Sequence, residues 1–129
     1  MSEAKEFHHR NWVEKFARAF RGIFWGIRGR SQFIDKGFLL HLLAAVAVCS
    51  VAWALKLSAL EWCMLVLCIA VVLTAELLNA AIESLSRAVT GQYNQFVEKS
   101  LDIAAGAVLL ASILSVVVAA ILFLPKLIY

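Results

Sequence analysis

Residues 62–85, WCMLVLCIAVVLTAELLNAAIESL, form an apolar run that nevertheless carries Glu76, Asn79 and Glu83. A helix needs about 20 predominantly apolar residues to cross the hydrocarbon core of a bilayer, and this run has that length. Ionisable side chains at such depth are expensive, and where they persist they mark pathways and sites. On a helix, E-x2-N-x3-E advances about 300° and then 400°, which returns all three side chains to one face roughly 60° wide. The segment reads as a transmembrane helix with a single polar stripe.

Two further runs flank it. Phe38 to Leu55 is interrupted only by His41 and Ser50, and Ile103 to Leu124 carries nothing more polar than Ser112 and Ser115. The whole chain has 129 residues, 63% hydrophobic and 16% charged, with a mean hydropathy of +0.85. A soluble domain of this size buries only about two-thirds of its chain surface, too little to hide so much apolar area. The expected class is an all-α integral membrane protein, one domain over 1–129, with transmembrane helices near 37–56, 59–89 and 97–124. No cleavable signal peptide is expected, because the first 36 residues are studded with charge.

About residues 7–30 read as an amphipathic helix lying on the membrane. Phe16, Phe20, Ile23, Phe24 and Ile27 recur at helical spacing, with Arg10, Arg18, Arg21 and Arg28 on the far side. A basic, aromatic-faced helix suits an anionic leaflet. Two roles are open for it: a plain anchor, or a surface that touches substrate through Arg21 and Trp25.

Eight of the 12 Lys and Arg residues lie at or before Lys36. The positive-inside rule then places the N-terminus and the Arg87 to Lys99 connection in the cytoplasm, and the Lys56 to Glu61 turn outside. Ser58 and Glu61 have capping-box spacing, which starts the second span near Ala59; Thr90-Gly91 ends it. Trp53 and Trp62 are expected as interfacial anchors. The third span is expected to stop before Pro125, and Ala104, Ala105, Gly106 and Ala107 to form a packing patch. Cys49, Cys63 and Cys68 are odd in number and sit in apolar runs, so they are expected as small core hydrophobes without disulfides.

The stripe's two carboxylates are about 10.5 Å apart along the helix axis, so one could serve a divalent metal and the other a general base. Hard cations such as Mg²⁺ take one or two carboxylates and complete their shell with water and phosphate. Glu83, nearer the cytoplasm, suits the metal of a nucleotide. Glu76, deeper and partly desolvated, suits proton abstraction from a lipid hydroxyl. Two alternatives stand beside this: the stripe pairs with other helices as structural glue, or it conducts protons. With no P-loop and no GxGxxG, phosphate would have to be handled by metal and side chains. His41 is a candidate for the lipid head group or for a polar anchor at the interface.

The octapeptide Glu76-Leu77-Leu78-Asn79-Ala80-Ala81-Ile82-Glu83, with Asn94 and then Leu101-Asp102-Ile103-Ala104-Ala105-Gly106 downstream, resembles the signature of the prokaryotic diacylglycerol kinase and undecaprenol kinase family. The resemblance spans roughly Phe16 to Leu127. It implies a homotrimer of three-helix subunits with an N-terminal surface helix, its active sites built between subunits. It further implies ATP-dependent phosphorylation of a lipid alcohol, with Mg²⁺, at the cytoplasmic face of a bacterial inner membrane. No nucleic-acid partner is expected. Carried over by position, Glu76 is the catalytic base, Glu83 a metal ligand and Asn79 an organiser of the nucleotide site, with Gln92, Tyr93, Asn94 and Asp102 near the nucleotide.

The departures from the family pattern are specific. Leu101 stands where members carry a phosphate-contacting Lys, and Lys99 is about 200° away around the helix. Arg87 replaces a usual acid, and Asn94 replaces a usual His. The position of the family's second acidic metal ligand falls on Asp35 or on Arg30, according to how the surface helix is aligned, and only Asp35 supplies a carboxylate. Turnover by such a chain needs another group, Arg87 for instance, to stabilise the transferring phosphoryl; a catalytically silent member of the same fold is the alternative.

Overall fold

A computed structural model describes residues 12–28, 36–89 and 91–128, and all four of its elements are helices. These are α1 (Trp12–Arg28), α2 (Lys36–Ala54), α3 (Ala59–Val89) and α4 (Gln95–Ile128). The last three are long and apolar enough to cross a membrane. The expected reach of the surface helix to residues 7 and 30, Thr90, the candidate second metal ligand Asp35 and the alternative occupant of its position, Arg30, lie outside the described residues.

α2 ends two residues short of the expected 56 in a Schellman turn. The Leu57 amide donates to the Ala52 carbonyl (3.2 Å) and the Lys56 amide to that of Trp53 (3.1 Å). Lys56 takes the left-handed conformation, φ 52°, that such a turn demands and that glycine adopts at lower cost. Leu57 and Ala52, the apolar pair of the motif, are both buried. α3 then opens on the capping box: the Ser58 amide donates to Glu61 Oε2 (2.6 Å), and the Glu61 amide to Ser58 Oγ (3.4 Å).

α4 differs from expectation at its far end, where it continues through Pro125 to Ile128. A proline this close to a C-terminus forfeits one backbone hydrogen bond near carbonyls that are leaving the helix anyway. Lys126 Nζ, 3.1 Å from Glu61 Oε2, ties this final turn to the start of α3. At its start, the Asn94 side-chain oxygen accepts the amides of Phe96 (2.9 Å) and Val97 (3.3 Å) and caps the helix.

The buried apolar cluster, Ala52, Leu57, Leu65 and Leu122, lies at one end of the bundle, beside the α2–α3 turn, with Val48, Trp62, Ile69 and Val118 packed on it. Trp62 therefore supports this cluster, while Trp53 is 80% exposed as an interfacial anchor would be. Of the small-residue patch only Ala104 is buried; the stripe continues through Ala111, and Gly106 faces open space. Four consecutive residues cover about 300° of helix and cannot share one face. The cysteines are free, yet none is buried and Cys63 is exposed. Helices solvated by lipid put apolar side chains outward as readily as inward, so hydrophobicity alone does not place a residue in the core.

α1 rests on α3 where Gly26 meets Leu77. A Cβ on Gly26 would stand 2.5 Å from Leu77 Cδ2, so a larger residue here would have to turn the end of the Leu77 side chain aside. The aromatic face of α1 is otherwise exposed at Trp12, Phe16, Phe20 and Phe24. Lys15 and Arg28 lie over the Trp12 and Phe24 rings at 4.8 and 5.5 Å, within cation–π range.

Candidate functional site

The stripe falls into two settings along α3. Glu76 is the one buried charged side chain among the described residues, 8% exposed. Its Oε1 lies 2.8 Å from Nδ1 of His41, at the second turn of α2. Nδ1 also faces the Gly37 carbonyl at 3.0 Å, and Nε2 lies 3.1 Å from Ser112 Oγ on α4. Three helices therefore meet at this carboxylate.

Two turns further on, Glu83 is open: its side chain is 42% exposed. Asn79 donates to its Oε1 (3.1 Å), and Arg87 Nη2 stands 3.6 Å from its Oε2. One turn separates each of these neighbours from Glu83, the spacing at which helical side chains meet. Glu83 and Arg87 line a cleft of about 650 Å³ between α1 and α3, whose other walls include Gly22, Trp25, Gly26, Leu77, Ala80 and Ser84. The cleft joins a carboxylate, a guanidinium and an indole beneath an amphipathic helix.

Helix lengths explain why the two carboxylates differ. From His41 back to the first residue of α2 is about 7.5 Å, whereas from Glu76 on to the end of α3 is about 20 Å. α3 therefore projects about 12 Å past the start of α2, which leaves Glu76 enclosed among three helices and Glu83 beyond the end of α2.

No cluster of three or more His, Cys, Asp or Glu side chains is gathered among the described residues. Mg²⁺ needs no such cage, since one or two carboxylates suffice when phosphate and water supply the rest. Glu83 offers a hard oxygen donor in an open cleft and Asn79 a second, so this pair fits a Mg²⁺ that arrives with a nucleotide, and does not fit a metal held by protein alone.

The remaining expected site residues are spread out. Trp25 lines the cleft, whereas Arg21, one turn earlier on α1, is exposed. Gln92, Tyr93 and Asn94 lie in the α3–α4 connection, and Asp102 is exposed on α4; none of them lines the cleft. The Asn94 side-chain oxygen is occupied in capping. Tyr93 donates its hydroxyl to Glu98 Oε2 (2.6 Å), and that hydrogen bond, with a smaller contribution from desolvation, holds the phenol above its usual range. Leu101 is half-buried and Lys99 exposed. Ser112 and Gly26 are the participants that the sequence pattern does not single out. For Ser112 the available signal was a hydroxyl in mid-span, the kind of residue that bonds across transmembrane helices.

Residues 17–123 match the family described as prokaryotic diacylglycerol kinase. The chain is 33% identical over 123 residues to the undecaprenol kinase of Bacillus subtilis, an alignment covering 92% of this chain and 96% of that protein. It is 36% identical over 118 residues to a diacylglycerol kinase of Synechocystis, covering 91% of this chain and 65% of that protein. No solved structure matches.

Proposed function

The chain belongs to the prokaryotic diacylglycerol kinase family, and from that premise we propose that it transfers the γ-phosphate of ATP to the hydroxyl of a membrane lipid, diacylglycerol or undecaprenol. The observation that carries the proposal is the division of one helical stripe into an enclosed carboxylate and an open one, Glu76 at 8% and Glu83 at 42% exposure.

In this reading the lipid hydroxyl meets Glu76, which takes its proton as the oxygen attacks the γ-phosphorus. The bond from that phosphorus to the ADP oxygen breaks, ADP leaves, and the phosphorylated lipid remains in the bilayer. Glu83 and Asn79 would hold a Mg²⁺ arriving with the nucleotide, and the ion would supply charge to offset that of the phosphates. Arg87, in the same cleft, adds a fixed positive charge close to the transferring group, the role left open by Leu101. The separation of about 10.5 Å between the carboxylates leaves room for a hydroxyl and a phosphoryl group between them. Trp25 and Arg21 offer an indole and a cation to the lipid head group from the membrane surface.

The excess of cations at or before Lys36 supports a reading in which the N-terminus and the open end of α3 face the cytoplasm at an inner membrane, where ATP is available. The family resemblance implies a homotrimer, in which Gln92, Tyr93, Asn94 and Asp102 of one copy would complete the cleft of its neighbour.

The test is a lipid panel: purified protein in mixed micelles with γ-labelled ATP, Mg²⁺, and either diacylglycerol or undecaprenol. Labelled phospholipid is expected with one of them. Glu76→Gln should lower turnover by about 10²- to 10⁴-fold, the usual contribution of a general base. No product with any lipid alcohol refutes the proposal. Leu101 favours a second reading, a silent member of the fold; it prevails if ATP with Mg²⁺ shifts neither the melting of the wild type nor that of Glu83→Gln.

A further inference from the structure

His41 bridges three helices with both of its ring nitrogens. Nδ1 faces the Gly37 carbonyl, which can only accept, at 3.0 Å, and the Glu76 carboxylate at 2.8 Å. Nδ1 must therefore carry a hydrogen. Nε2 faces Ser112 Oγ at 3.1 Å, and that hydroxyl is itself anchored one turn back on α4 by the Val108 carbonyl at 2.8 Å. The ring is held at both edges and its side chain is only 23% exposed. With both nitrogens engaged inside the chain, His41 is poorly placed to serve a lipid head group.

We propose that His41 is the positioning residue of the phosphoryl-transfer site, holding the Glu76 carboxylate by Nδ1–H while Ser112 holds the ring from α4. The inference rests on the kinase reading given above, in which Glu76 takes the hydroxyl proton. A carboxylate on a helix has three freely rotating side-chain bonds, and a base works only when its oxygen sits within hydrogen-bond reach of the proton it removes. An imidazole fixed at both ends removes that freedom, much as outer-shell partners orient metal-bound histidines. The bridge also sets the registers of α2 and α4 against α3 at the level of the reacting hydroxyl.

The experiment uses full-length protein in mixed micelles, with kcat and both KM values measured for the wild type, His41→Leu, His41→Asn and Ser112→Ala. Melting temperatures are recorded alongside. His41→Leu is expected to lower kcat by about 10- to 100-fold, the usual cost of losing an orienting partner, while KM for ATP and for lipid stays within about threefold. His41→Asn keeps an N–H near the Nδ1 position and should recover most of that loss. Ser112→Ala should lower kcat by a smaller factor in the same direction, and it decides the matter with His41→Asn if His41→Leu does not fold.

A His41→Leu enzyme with unchanged kcat overturns the assignment. So does one whose lipid KM rises while kcat is intact, the signature of head-group contact, or an Asn variant no better than Leu at equal stability. If the wild type phosphorylates no lipid, the kinase reading itself fails and His41 has no reaction to serve. That outcome is distinct from an active wild type indifferent to His41.

Discussion

Replacing Gly26 by alanine tests how α1 is seated. The added methyl would stand 2.5 Å from Leu77 Cδ2, about 1 Å inside ordinary carbon–carbon contact. Overpacking of this size costs about 1–3 kcal/mol, moderated because the atom displaced is the end of a side chain that can turn. Against this, alanine in a helix interior gains about 1 kcal/mol over glycine. Gly26→Ala alone should therefore range from neutral to about 2 kcal/mol less stable in the docked state of α1. In a Leu77→Ala background the clash is gone and only the helical gain remains, so the same substitution should stabilise by about 1 kcal/mol. The sign of the effect reverses between backgrounds, with a coupling of about 1–3 kcal/mol, in the range seen for residues in contact. Hydrogen exchange of the α1 amides in micelles reads it directly, since local opening follows the free energy of that element. An equal effect of Gly26→Ala in both backgrounds would refute the seating of α1 on Leu77.

Other outcomes follow from single residues. Lys56→Gly relieves a left-handed lysine at a cost of about 1–2 kcal/mol, less the entropy glycine brings to the unfolded chain; melting in detergent should rise by the equivalent of about 0.5–1 kcal/mol. Arg87→Ala should lower kcat by about 10²-fold in the lipid kinase assay, as loss of one electrostatic donor to a transition state does, while Leu101→Lys should raise it. The Tyr93 phenol, raised by donating to Glu98, should ionise at lower pH in Glu98→Gln, followed by ultraviolet titration in a Tyr129→Phe background. The sign is set by the neutral phenol: the bond is intact below the ordinary phenol value of about 10 and is lost as pH rises through the raised one.

Much of this architecture is legible in the sequence because the relevant signals are local. Apolar length defines the spans, Ser58 and Glu61 are three residues apart, and Glu76, Asn79 and Glu83 declare their shared face through helical angles alone. The bridge from His41 to Ser112 joins residues 71 positions apart, and its formation depends on the register of α2 against α4, which no periodicity encodes. The approach of Gly26 to Leu77 depends likewise on how two helices cross. Pro125 marks a helix end by composition, yet Lys126 and Glu61 hold its turn from another helix. In lipid, burial and hydrophobicity separate, so Cys63 and Gly106 are apolar and outward at once.

Placing the apolar cluster at the α2–α3 turn has a mechanical consequence. Ala52, Leu57, Leu65 and Leu122 clamp one end of the bundle, while toward the other end α2 is tied to α3 and α4 by the polar contacts of His41 and α1 faces α3 across a cleft. Stiffness is concentrated at one pole, and segments with few buried apolar contacts open at the least free energy. α2 thus resembles the moving arm of a pair of tongs pivoted beside Leu57, with the polar bridge of His41 to Glu76 and Ser112 as its catch.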